Sequence, residues 1–470
     1  MKRLAYPLLG LLFSLLAACG GGGGGAAPPP PVVASTSGYP NDAASCSVAG
    51  QKSWLDDYMG DKYFWSAQRR VPNAAAVSID AYFESQLFVP TDRYSATQEL
   101  GAFTQFFVAG TRTGYGYSLA FADATQTKLM VRIVEPKGPA AGAGLQRGDT
   151  VVTINGLTAA SIANGSLTAV TTAGITRTFS VENSMGVQRT LTMVSRNFPL
   201  SPVLTDTVLL AANGAKVGYL VYQDFTNLSL PPLGQAFDRF RTAGVTELVV
   251  DLRYNGGGSV QVARALASMI GGSRLNGKVF TKIRFNAQNQ ADDFDYPFTS
   301  TGLPAAPLEG LQRVVFITSP NTASASELVV NSLYPFFINK VVTIGTKTFG
   351  KPYGFQPRES CNTVFNAVNF ETFNADNAGR FDAGLPATCT VADDLTKPLG
   401  DPTERRLAVA LGYIQNDKCP ATATTADLLL QAQSQSNAEF SGQTQARQGA
   451  VRRPAEPAFG EVSKPGMFTD

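Results

Sequence analysis

The sequence predicts a multidomain α/β protein with a helical N-terminal subdomain, a β-rich module and a largely parallel α/β core. Changes of hydrophobic period carry that expectation. Apolar residues recur at helical spacing from Trp54 to Leu87, and short alternating segments follow between about 114 and 196. From Lys216 onward, apolar runs of buried-strand type take turns with amphipathic stretches, the pattern of strands joined by helical crossovers. With 470 residues the chain can build roughly two or three cores.

Trp54, Leu55, Tyr58, Met59 and Tyr63 mark one helix, and Ile79, Tyr82, Phe83, Gln86 and Leu87 another, so residues 46–108 read as a helical subdomain. Strands are expected at Tyr115–Phe121, Leu129–Val134, Thr150–Ile154 and Thr190–Val194, within a module spanning 109–197. In the core, 198–419, Leu233, Phe237 and Phe240 share a helical face and Gly244 is placed to end that helix. The strand Leu248–Leu252, a helix through Val260, Ala263, Ala267 and Ile270, the strand Val314–Ile317, the helix Ser326–Leu333 and the strand Val341–Ile344 then alternate. A sheet of this kind places its chemistry beyond the carboxyl ends of its strands. Residues 420–470, rich in Ala, Gln, Ser and Thr, read as a disordered tail.

The chain opens Met1-Lys2-Arg3, followed by a mostly apolar run, Leu4–Ala18, too short to span a bilayer. Residues 1–18 are therefore expected to be a signal peptide. Leu16-Ala17-Ala18-Cys19 resembles the bacterial lipobox, which makes Cys19 the expected lipidation site and membrane anchor. Gly20 rather than Asp follows it, which points to a periplasmic protein anchored to the outer membrane. Residues 19–45, with their glycine and proline runs, form a tether. Cys46, Cys361, Cys389 and Cys419 remain, and an even number in an exported chain suggests two disulfides. Cys361 is paired with Cys389 on proximity, and Cys46 with Cys419 by elimination.

Lys and Arg number 38 against 36 Asp and Glu, a net charge of +2, which carries no electrostatic footprint for nucleic acid. Histidine is absent. That excludes a Ser-His-Asp or Cys-His nucleophile, a His-ligated zinc site and imidazole acid/base chemistry. Any proton carrier must be Lys, Asp, Glu, Tyr or Cys.

Two loops stand at strand ends. Arg253-Tyr254-Asn255-Gly256-Gly257-Gly258-Ser259 brings backbone N–H groups close to a helix start, a setting for an anion or a developing oxyanion, or simply a tightly packed turn. Ser319–Glu327 ends in Ser324-Ala325-Ser326-Glu327, which fits a helix-capping box and equally a hydroxyl nucleophile at a helix start. Without histidine, the candidate base is a lysine with a pKa lowered by burial. Lys351, between Gly350 and Pro352 after the next strand, offers one.

Thr322-Ala323-Ser324-Ala325-Ser326-Glu327, Thr348-Phe349-Gly350-Lys351 and Asp251-Leu252-Arg253-Tyr254-Asn255-Gly256-Gly257-Gly258 together resemble the carboxyl-terminal processing (tail-specific) serine protease family over roughly Cys46–Cys419. The resemblance implies Ser324 as nucleophile, Lys351 as general base, Gln356 as the residue orienting the lysine, and the N–H groups of Gly258 and Ala325 as oxyanion hole. Ser326 is a second candidate nucleophile on spacing. The spacing from Ser324 to Lys351 is a couple of residues longer than usual in the family, that from Lys351 to Gln356 one longer, and Pro352 replaces the usual glycine.

Glu135-Pro136-Lys137-Gly138-Pro139-Ala140, Gly144-Leu145-Gln146-Arg147-Gly148-Asp149 and Ile154-Asn155-Gly156 resemble a bacterial PDZ core. Gly114-Tyr115-Gly116-Tyr117 would then be the loop that binds a terminal carboxylate while the peptide adds a strand to the sheet edge. The implied protein is a multidomain α/β endopeptidase with a PDZ-like module, a Ser-Lys dyad, no cofactor or metal, and protein or peptide substrates with exposed C-termini. A non-catalytic peptide- or ligand-binding lipoprotein of the same fold is the alternative, and an adaptor acting through the PDZ-like module is a third reading.

Overall fold

The computed structural model describes residues 43–123 and 125–420 and the backbone of 467–468. The signal peptide, Cys19, most of the tether and the rest of the tail lie outside the described residues.

The central sheet has six strands in the order Cys389–Thr390, Val341–Gly345, Arg313–Thr318, Glu247–Asp251, Lys216–Tyr222, Val203–Leu210. All neighbours are parallel except the last pair. The three middle strands are buried along their whole length, as their unbroken apolar runs require of a sheet covered on both faces. One face is packed by helices Leu230–Ala243, Val260–Gly271 and Ala325–Leu333, through Phe237, Phe240, Leu266 and Leu328. The other is covered by the helix Arg405–Asn416, which sets Leu407, Ala410 and Ile414 against Val249, Val315 and Ile344. Gly244 ends the first of these helices at φ 70°.

Residues 117–194 form a five-stranded antiparallel sheet with the strands in chain order, Tyr117–Phe121, Leu129–Val134, Thr150–Ile154, Thr176–Glu182 and Gln188–Val194. It encloses its own core of Leu119, Val131, Phe179 and Val181. The chain enters and leaves it through paired strands, Thr111–Gly114 and Arg196–Pro199.

The N-terminal helices Val48–Lys62 and Ile79–Gln86 occur where the spacing places them, but they share a core with Tyr353, Phe355, Phe365 and Val368 from the segment after Lys351. A strand, Ala96–Glu99, follows them and pairs antiparallel with Thr363–Asn366. This region is an extension of the core around the lysine loop.

The disulfides differ from the expected pairs: Cys46 bonds Cys361, and Cys389 bonds Cys419. Topology overrides proximity. Cys361 sits in the turn between Arg358–Ser360 and Thr363–Asn366, and Ser360 Oγ there accepts a hydrogen bond from Ala43 N at 3.2 Å, beside the start of the first helix. Cys389 begins the edge strand of the central sheet, and the helix Arg405–Asn416 crosses that face to deliver Cys419.

Candidate active site

The strand Arg313–Thr318 ends in a loop that Ser319 and Thr322 stitch to its neighbour. Thr322 Oγ1 donates to Leu252 O at 2.7 Å, Ser319 Oγ donates to Arg253 O, and Ala323 N donates to Asn255 O at 3.1 Å. These bonds draw Ser324 against the glycine loop. Ser324 itself is fully buried and takes φ 61°, ψ −116°, a conformation rarely adopted by a residue with a Cβ. Such strain, of order 1–3 kcal/mol, persists only where the surroundings impose it.

The two serines are distinguished by their partners. Ser326 Oγ donates to Asn255 O at 3.0 Å, whereas Ser324 Oγ is buried with no hydrogen-bond partner among the described residues. The second half of the capping box is present: Glu327 accepts from Ser324 N at 2.8 Å.

Glu327 does more than cap the helix. Its Oε2 also accepts from Lys351 N at 2.9 Å, while Oε1 accepts from Gly350 N at 2.7 Å and from Thr348 Oγ1. The backbones of Ser324 and Lys351 thus hang from one carboxylate oxygen. Glu327 is wholly buried; burial pushes its carboxyl upward, and its four hydrogen-bond donors pull the other way. The sequence shows this residue only as a capping glutamate, since its reach to the next loop depends on how two strand ends meet.

Lys351 is fully buried, with Nζ 3.7 Å from the Phe355 ring centroid and 5.9 Å from that of Tyr94. Its loop is clamped from the N-terminal region. Tyr94 Oη donates to Gly350 O at 2.7 Å, and Arg93 Nη2 donates to the carbonyls of Phe349 and Gly350 at 3.1 Å. Burial pushes the Tyr94 hydroxyl up to about 12, so it remains a donor. Neither residue was singled out by sequence, because both act across more than 250 positions of chain. Gln356 is half-buried, and its backbone is held on both sides. Its N–H donates to Asn369 Oδ1 at 2.6 Å and its carbonyl accepts from Tyr58 Oη at 3.5 Å.

Gly258 has φ 138°, and a Cβ there would lie 2.4 Å from Phe225 O, so no other residue fits without backbone movement. Phe225 N donates to Gly257 O at 3.1 Å, and Ser259 N donates to Phe225 O at 2.8 Å. By strand alternation the N–H and C=O of Gly258 itself face the opposite edge. Ala325 is the first residue of its helix, so its N–H has no intrahelical acceptor.

The base of the glycine loop is fixed by charge. Arg253, buried, binds Asp251 Oδ2 and Glu404 Oε1 at 2.8 Å and Asp393 Oδ1 at 2.9 Å. Burial disfavours the Asp393 carboxylate, but Arg406, Arg253 and Arg147 outweigh it and hold its carboxyl well below the usual range. Arg147, from the five-stranded module, donates to Tyr254 Oη at 3.0 Å. The expected carboxylate loop lies at the entry to that module. Gly114 and Gly116 take φ 149° and 76°, and Tyr115 and Tyr117 are buried, with Tyr117 Oη accepting from Arg177 Nη1 at 2.9 Å.

The structure therefore brings Ser324, Ala325, the glycine loop and the Lys351 loop together through Asn255 and Glu327, and places Gly114–Tyr117 in a separate module.

Residues 216–382 match the profile of Peptidase family S41. The chain is 25% identical over 259 residues to a chloroplastic C-terminal processing peptidase of Tetradesmus obliquus, covering 52% of each chain. It is 26% identical over 226 residues to a carboxyl-terminal-processing protease of Picosynechococcus sp., covering 47% of this chain and 50% of that one. It spans about half the length of these curated relatives. Among solved structures, a provisionally named S41 protease from Bacteroides fragilis aligns with a TM-score of 0.66 at 26% identity, over 78% of this chain and 97% of that one. The chain therefore carries a peptidase family S41 domain.

Proposed function

We propose that the protein is a serine endopeptidase with Ser324 as nucleophile and Lys351 as general base. The observation that carries the proposal is the buried Ser324 hydroxyl, without a hydrogen-bond partner among the described residues, on a positive-φ turn whose backbone shares a carboxylate oxygen with that of a fully buried lysine. Removal from water favours the neutral amine, while the Phe355 and Tyr94 rings favour the ammonium. Function near neutral pH needs burial to prevail, so that the amine gives up its proton below the ordinary lysine range.

In the reaction, Ser324 Oγ attacks the peptide carbonyl and its proton passes to Lys351 Nζ. The N–H groups of Gly258 and Ala325 receive the charge on the carbonyl oxygen. Lys351 returns the proton to the departing amine, and water, activated by the same amine, releases the acyl group. Gln356 orients Lys351 by the family resemblance, and Glu327 is the positioning residue for both loops.

Substrates would be proteins chosen by exposed C-terminal tails, the Gly114–Tyr117 loop of a PDZ-like module holding the carboxylate. A periplasmic site with a lipid anchor at Cys19 fits the two disulfides, which need an oxidising compartment. The test is hydrolysis of an unstructured protein by the purified chain. Cleavage lost in both Ser324→Ala and Lys351→Ala supports the dyad, and undiminished cleavage in either refutes it.

A further inference from the structure

The backbone of Met467–Phe468, from the distal segment of the chain, forms a short strand parallel to Gly258–Ser259, in the register Gly258 to Met467 and Ser259 to Phe468. It also lies against Tyr353–Gly354, two residues beyond Lys351. Gly258 is thus flanked on one edge by Phe225 and on the other by Met467. That second edge is the one toward which its own N–H and C=O point.

We infer that the edge of Gly258–Ser259 is a strand-accepting peptide subsite, and that the chain's own Met467–Phe468 strand is its resident occupant, excluding other peptides. The occupant is an extended peptide with two large apolar residues side by side, Met467 and Phe468, in a stretch otherwise poor in them. Recognition runs through main-chain hydrogen bonds, which tolerate many sequences. The Gly258 N–H cannot pair with this strand and receive a substrate carbonyl at once, so occupancy and turnover are mutually exclusive. The consequence for turnover rests on the peptidase reading above; the occupancy itself rests on the strand register.

The test uses the full chain with Ser324→Ala, so that the segment stays intact. A photo-crosslinking residue, p-benzoylphenylalanine, replaces Phe468, and the adduct is mapped by mass spectrometry. Adducts within 222–260 or 350–356 are expected; adducts confined elsewhere overturn the inference. In parallel, a fluorescent peptide of residues 462–470 with both ends blocked is titrated against the Ser324→Ala chain with and without Phe468→Pro, which removes the N–H a parallel ladder requires. A tethered occupant acts at an effective concentration approaching millimolar, so a peptide of about 100 μM affinity is outcompeted about tenfold. The Phe468→Pro chain should therefore bind the peptide about tenfold more tightly. Equal binding in both chains, or none in either, overturns the inference. Hydrolysis is assayed separately in the Ser324 chain carrying Phe468→Pro, whose edge is free: absent hydrolysis there with the expected adducts in the crosslinking chain removes the peptidase reading alone, and hydrolysis with misplaced adducts removes the inference alone.

Discussion

Removing the Glu327 carboxylate should damage folding and turnover together, because one side chain holds both loops. Glu327→Ala strands three backbone N–H donors, from Ser324, Gly350 and Lys351, and the Thr348 hydroxyl. Each buried donor left without a partner costs about 1–3 kcal/mol. Partial relaxation and the relief of desolvating a charge offset some of this, leaving a net loss of about 3–5 kcal/mol. Glu327→Gln should be milder. Its Nε2 can face Thr348, whose hydroxyl can accept instead of donate, so that Gly350 N is the donor left facing an N–H and the loss is about 1–3 kcal/mol. Turnover should fall further than stability, since a displacement of about 1 Å between reacting groups costs on the order of 100-fold in rate. Urea unfolding followed by circular dichroism gives the first quantity, and hydrolysis of an unstructured protein under fully folding conditions gives the second. If Glu327→Ala unfolded at the parent's midpoint and retained its rate, the shared-carboxylate argument would be wrong.

Ser326→Ala should retain turnover within about tenfold while losing about 1–2 kcal/mol, since its hydroxyl is spent on Asn255 O, and a loss as complete as that of Ser324→Ala would reverse the assignment. Gly258→Ala should abolish turnover and lower the unfolding midpoint, because its Cβ would collide with Phe225 O; unchanged kinetics would remove Gly258 from the oxyanion hole. Burial, then the charge of Asp224, pushes Glu135 up to about 7, and burial pushes Asp224 up to about 6. Both then bind protons in the folded state that the unfolded chain has released above about pH 4. Their stabilisation is complete below the unfolded values and is lost as pH rises through about 6 to 7. Glu135→Gln should consequently raise stability at pH 8 by on the order of 2–3 kcal/mol and leave it unchanged near pH 4, which urea midpoints at the two pH values would check. Loop-closure entropy allows at most about 6 kcal/mol for the Cys46–Cys361 bond and about 4 for Cys389–Cys419, so Cys46→Ser with Cys361→Ser should cost more than the other double substitution in thermal unfolding.

The core was readable because fully buried parallel strands announce themselves as unbroken runs, as in Leu248-Val249-Val250 and Val341-Val342, and because glycine and capping residues punctuate the helices between them. The strand Thr176–Glu182 escaped notice because Arg177 occupies an inward position, buried against Tyr117, where alternation leads one to expect an apolar residue. The expected strand at Tyr115 begins instead at Tyr117, since Gly116 turns the chain at φ 76°. At the site, the family resemblance made Ser324 and Lys351 the candidates, but composition cannot show which of two nearby serines keeps its hydroxyl unbonded among the described residues. Nor can it show that Arg93 and Tyr94 close over the lysine loop, a contact created by the sheet of Ala96–Glu99 with Thr363–Asn366. The disulfides failed for the same reason: distance along the chain is a poor guide once helices cross a sheet.

In the proposed reaction Lys351, shielded from water, takes the proton of Ser324. Covalent labelling by a fluorophosphonate, located by peptide mass spectrometry in the parent and in Lys351→Met, tests it most directly. Modification is expected at Ser324 alone, rising with pH as the amine is deprotonated and vanishing in Lys351→Met. Label on Ser326, or equal labelling of Ser324 in both proteins, would contradict it.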